Sequence, residues 1–170
     1  MPLSGATLAV AAFAEQTSSI DLGTSRAPQS LARSLSLANG TGAGKADRVF
    51  SDRRTLAASG TEDLDLAGVL VDAFGATITF ARIKGLVIAA AAGNTNNVVV
   101  GAASSNPWST LLGATGTLLV RPGAFVAVGT GAADATGYAV TASTGDLLKI
   151  ANSSSGSAVT YDIHIIGASA

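Results

Sequence analysis

The sequence predicts an all-β fold: a single β-sandwich or jelly-roll-like domain preceded by an extended N-terminal arm. Three observations predict it. Short apolar segments of strand length recur along residues 46–170. Clusters of Gly, Pro, Asn and Ser separate them, and stretches with helical periodicity are scarce. The apolar share is 48% with aromatics at only 5%, and twenty Gly accompany it, which suits thin, closely packed strands joined by many turns.

The chain divides near Lys45, giving an arm over residues 1–45 and a sandwich domain over 46–170. The first part is rich in Ser, Thr, Ala and Gly, with apolar pieces at Leu8–Phe13 and Leu31–Leu37. It ends in Asn39-Gly40-Thr41-Gly42-Ala43-Gly44, a run that favours a turn or hinge. Such a segment either adds strands to the main fold or reaches out to order on a neighbour; its composition favours the arm.

From Ala46 the strands are expected in order. Arg48–Leu56 is the first. Thr61–Leu66 follows, with Leu64 and Leu66 alternating against Asp63 and Asp65. Thr77–Ala91 is the longest; its early alternation implies one wet face and its later run, Leu86-Val87-Ile88, implies burial on both. Gly93-Asn94-Thr95-Asn96 reads as a turn into Asn97–Ala102, so these two strands are expected to form a hairpin. Asn106–Leu112 reads as a loop or short helical turn. Further strands are expected at Thr117–Arg121, Ala124–Val128, Tyr138–Thr141, Leu147–Asn152 and Val159–Ile166. The segments between them carry turn chemistry, as at Pro122-Gly123 and Ser153–Gly156. Strands this short and this evenly spaced belong to sandwiches and barrels.

Charge and composition exclude several functions. A formal net charge of -1 supplies no field suited to nucleic acid. There is no cysteine and a single histidine, His164, which excludes disulfides, thiolate sites and a multi-histidine metal site within one chain. The first basic side chain is Arg26, so the opening residues lack the cationic region of an export signal. No apolar run approaches the ~20 residues needed to span a bilayer as a helix. Charged residues are 12%, against about 25% in an average domain, which favours partner surfaces that cover the chain.

The candidate chemistry does not assemble. Gly40–Lys45 superficially suggests a phosphate loop, but Asn39 stands at the first Gly position and Ala46 follows the lysine. His164 shares a strand face with Asp162, yet no Gly-x-Ser-x-Gly elbow accompanies them, so a structural pair is the expectation. Asp63 and Asp65 share a face and could be imagined as a glycosidase pair; a solvated face opposite Leu64 and Leu66 is favoured. No catalytic residue, cofactor or metal is expected. Interface candidates are Leu8, Phe13, Leu31 and Leu35 in the arm, with Arg53, Arg54 and Trp108 in the domain. Arg53-Arg54 suits a subunit interface or an exposed ion-pair network equally. Trp108 beside Pro107 suits an exposed anchor or the core equally.

Several segments together resemble a group of small virion proteins of tailed phages. They are Asp47–Leu56 followed by Asp65-Leu66-Ala67-Gly68, Asp72-Ala73-Phe74-Gly75 leading into Thr79–Lys84, Asn94–Gly101, Arg121-Pro122-Gly123 and Tyr161–Gly167. The likeness covers most of residues 40–167 and is to capsid decoration, or cement, proteins. It implies a β-sandwich or jelly roll that trimerises on the outer capsid surface between capsomers. The partner would be the major capsid protein, the setting the virion, with no nucleic acid, membrane or enzymatic role. Two other functions compete. One is a tail, baseplate or fibre component. The other is a carbohydrate-binding sandwich in which Trp108, Tyr138 and Tyr161 would supply stacking rings.

Overall fold

The computed structural model of the chain describes residues 3–170, and among them every regular element is a strand. β1 (Ala6–Ile20) and β2 (Gly23–Asn39) pair antiparallel through fifteen registered positions, from Ala6 opposite Leu37 to Ile20 opposite Gly23. Asp21 and Leu22 form the two-residue connection. β3 (Lys45–Ala46) adds two residues parallel to β2. The run from Asn39 to Gly44 makes the loop that brings the chain back alongside β2. Gly40 (φ 133°) and Gly44 (φ 64°) take left-handed conformations there that an L side chain would resist.

The remaining strands form two sheets. They are β4 (Arg48–Leu56), β5 (Thr61–Asp65), β6 (Arg82–Ala90), β7 (Val98–Gly101), β8 (Thr117–Val120), β9 (Phe125–Gly129), β10 (Tyr138–Ala139), β11 (Leu147–Asn152) and β12 (Val159–Ala168). One sheet runs β10-β6-β12-β4, with β9 also paired to β6. The other runs β5-β11-β7-β8. Alternation decides which side chains meet between them. Tyr161, Ile163 and Ile165 of β12 and Leu86 and Ile88 of β6 turn inward from the first sheet. Leu64, Val98, Val100, Leu148 and Ile150 turn inward from the second. They form one continuous core, so the body is sandwich-like. Each such side chain contributes about 1.5–3 kcal/mol of burial.

The register of β12 against β6 shifts at Ile166, which lies opposite Gly85, because Gly167 lies opposite Ile83. Lys84 is therefore an extra residue in the ladder, a β-bulge, and the slip returns Ile83 to the core side. β4 and β11 have the bounds expected from sequence, and most others lie within two residues.

Two expectations are corrected. β6 and β7 do not form a hairpin: β6 pairs with β9, β10 and β12, whereas β7 pairs with β8 and β11. The turn at Gly93–Asn96 is a corner that carries the chain from one sheet to the other. The long strand expected over Thr77–Ala91 begins only at Arg82. Ile78 and Phe80 are buried, but as a crossing segment whose amides donate to the carbonyls of Leu70 and Leu66.

Candidate interaction surface

The side chains of β1 and β2 fall on two unlike faces. Residues directly opposite in an antiparallel pair share a face. One face carries Ala6/Leu37, Leu8/Leu35, Val10/Arg33, Ala12/Leu31 and Ala14/Gln29. The other carries Thr7/Ser36, Ala9/Ser34, Phe13/Ser30 and Thr17/Arg26. The first is aliphatic along its inner two-thirds, with Arg33 as its one charge. The second is half hydroxyl, with Ala11/Ala32 and the Glu15–Arg26 ion pair among the rest, and Phe13 is its large apolar exception.

Only the foot of this ribbon rests on the body. Leu35, Leu37, Ala46 and Ile166 are buried together, with Leu3, Ala6, Leu8 and Val49 packed against them. Ile166 and Val49 lie on the outer side of the first sheet. The seat there is made by two glycines opposite each other, Gly85 on β6 and Gly129 on β9. A Cβ on Gly129 would lie 2.9 Å from the Leu8 side chain, and one on Gly85 would lie 3.5 Å from it. The bare backbone is what lets the ribbon sit down.

Lys84, the bulged residue, closes the same corner. Its side chain is fully buried, and its ammonium donates to the carbonyl oxygens of Gly42 (2.5 Å) and Asp134 (3.3 Å). Burial, with repulsion from Arg82, lowers its pKa. The glycine-rich run that looked superficially like a phosphate loop thus turns a carbonyl toward a cation.

Beyond the foot, residues 9–34 are exposed throughout. Phe13 is 72% exposed and Leu31 57%, and Leu22 at the tip is fully so. At about 3.3 Å per residue the ribbon is roughly 50 Å long. Of the four arm residues singled out by sequence, Leu8 and Leu35 therefore belong to the foot, while Phe13 and Leu31 stand in solvent on opposite faces.

The body candidates are placed differently. Arg53 lies on the outer face and forms a two-pronged ion pair with Asp162, its cross-strand neighbour, at 2.6 and 2.8 Å. Arg53 thereby holds the Asp162 carboxyl below its ordinary range. Arg54, on the other face, bridges Asp52 (2.8 Å) and Glu62 (2.7 Å), the latter on a strand of the second sheet. Glu62 also accepts the Tyr161 hydroxyl at 2.6 Å. Trp108 is only 6% exposed; it packs edge-on to Tyr138, and its Nε1 donates to the Ala139 carbonyl at 2.9 Å. Its indole is held in the core and is not displayed as an anchor.

His164 is half-buried on β12, with Ser51 and Val87 as its strand neighbours, and burial lowers its pKa. The partner of Asp162 is Arg53, which donates to both of its oxygens, and not the same-face His164. Asp63 is exposed and Asp65 caps the amide of Ala67, opposite buried Leu64 and Leu66. Among the described residues no three metal-ligating side chains cluster. The one signal in the sequence for the ribbon's two faces was the alternation of Leu8, Val10, Ala12 and Ala14, which the intervening alanines blur.

Compared with protein-family models, with curated proteins and with solved structures, the chain matches none.

Proposed function

We propose that this chain is a capsid decoration (cement) protein of a tailed bacteriophage. It would sit as a homotrimer on the outer surface of the virion, binding the major capsid protein between capsomers and stabilising the shell. In this reading the body is the jelly-roll-like platform and residues 1–45 are the extended arm.

The observation that carries it is the ribbon. A two-stranded ribbon alone in water is marginally stable at best. This one holds residues 9–34 in solvent with an aliphatic face that its own body does not cover. Such a surface suits a protein that works by being covered. The resemblance of residues 40–167 to decoration proteins supports the same reading. Repeated over a shell, many weak and identical contacts act together through effective concentration.

Quantitative mass spectrometry of purified virions tests it. A copy number of about one, or about one third, relative to the major capsid protein is expected for a component spread over a symmetric lattice. A handful of copies per particle would favour the tail or baseplate instead. Absence from the particle would overturn the virion reading.

A further inference from the structure

Two exposed apolar surfaces of the chain, the ribbon's aliphatic face and a loop on the body, lie apart within one molecule. The inner half of the ribbon's face presents Val10, Ala12 and Leu31 around Arg33. Among the described residues Arg33 has no carboxylate within ion-pair distance; its guanidinium donates only to the neighbouring Ala32 carbonyl. On the body, the loop between β5 and β6 presents Val69, Val71 and Phe74 to solvent, with Phe74 74% exposed. Asp72 stands among them. One of its oxygens accepts the amides of Phe74 and Ala76, and among the described residues no Lys or Arg pairs with it. A cleft of about 340 Å³ adjoins, lined by Val49, Phe74 and Ile78 among others.

We propose that the ribbon of one copy lies with its aliphatic face on the Val69–Phe74 loop of a second copy, with Arg33 paired to Asp72. One side is an apolar strip with an unpaired cation; the other is an apolar strip whose Asp72 makes no ion pair, with the Asp47–Arg48 pair lining the same cleft. The match is therefore between unlike surfaces, and the contact is head-to-tail. Every copy gives one ribbon and receives one. A head-to-tail contact closes into a ring when its rotation allows.

The exposed part of the ribbon, about 40 Å long and about 10 Å wide, offers about 400 Å² per face. One such contact is below the ~800 Å² per partner of a standard interface, so each is weak alone and a closed ring of them would be needed to hold copies together. Pairing the two charges in this way also removes a like-charge objection: two ribbons packed face to face would bring Arg33 toward its own copy.

The proposal concerns the free protein and does not rest on the virion reading. A chain that assembles this way but is absent from particles would leave it standing. The chain has no cysteine, so introduced thiols report without background. Leu31→Cys and Phe74→Cys are made as separate variants and mixed under mild oxidation. The expected result is a disulfide that joins one variant to the other at well over twice the amount of either self-linked product, the ratio that random pairing gives.

Sedimentation of the intact protein gives the second arm. Arg33→Glu and Asp72→Arg should each weaken assembly at least tenfold, and mixing or combining them should restore it. Phe13→Ser, on the opposite face, should leave it unchanged. A wild-type chain that stays monomeric overturns the proposal. So does an oligomer that is indifferent to both charge changes and forms no mixed disulfide. If a charge variant fails to fold by circular dichroism, the mixed cross-link alone decides.

Discussion

Glu62 is where the two sheets are tied by polar groups. It lies on an edge strand of one sheet and takes Arg54 and the Tyr161 hydroxyl from the other. Burial, reinforced by the bond to Glu62, raises the Tyr161 pKa, so the phenol remains a donor at any ordinary pH. Removing that hydroxyl in Tyr161→Phe forfeits a hydrogen bond to a charged acceptor, worth about 1.5–3 kcal/mol. The urea midpoint should fall accordingly with an unchanged slope. By contrast, the exposed Arg53–Asp162 pair is screened, and its loss should change little. Sequence alone could place Tyr161 on the inward face, since alternation does that. It could not find Glu62, because the partner arrives from another sheet and leaves no local pattern.

His164 gives the fold a pH dependence whose sign is fixed. Burial lowers its pKa below the ordinary value of 6.5, so the unfolded chain binds the proton more readily than the folded one. Its contribution is present in full above pH ~6.5 and is lost as the pH falls through that value toward the lower folded pKa. Unfolding free energy measured from pH 8 to 5 should decline on the acid side. His164→Gln should flatten that part of the curve; an unaltered slope would show that other groups set it.

At the scale of elements, the ribbon's attitude depends on the glycine seat. Gly129→Val inserts atoms where the Leu8 side chain already lies against the backbone. Overpacking of this kind costs about 1–3 kcal/mol. Here the ribbon can also yield by tilting. Amide exchange should therefore accelerate at the foot, around Leu8 and Leu35, while the β6–β12 ladder keeps its protection. Equal acceleration in both would show that the seat serves the body and not the ribbon. The seat was invisible in sequence, because Gly85 and Gly129 are 44 positions apart and each reads simply as a weak point in a strand. The β6–β7 error has the same origin. Gly93–Asn96 carries good turn chemistry, but a turn's residues specify a reversal, not which sheet receives the returning strand. β4 and β11 were legible because alternation and flanking turns are both local. The ribbon itself was less so: alanine and serine dominate it, and neither marks a buried face.

For the whole molecule, the sandwich-like all-β class followed from strand spacing and turns, while the layout of its sheets came only from pairings far apart in sequence. β4 and β12 are one such case, with Arg48 opposite Gly167 and Leu56 opposite Val159. Assembly belongs to this scale as well, since the ribbon and the Val69–Phe74 loop become complementary only when two copies are considered together.

The position of β12 has a consequence for how the chain is made. Among the described residues it follows every other strand, yet it lies in the middle of its sheet, between β6 and β4. On the ribosome, β4 and β6 must therefore wait with open edges and no mutual pairing until β12 emerges. The ribbon's pairing is local and fast, but without its seat on Gly85 and Gly129 it is only marginally stable. The nascent protein thus passes through a period in which the aliphatic face of the ribbon and the unpaired edges of β4 and β6 are open together. Premature encounters between copies are the hazard of that interval, and synthesis at high local density would sharpen it.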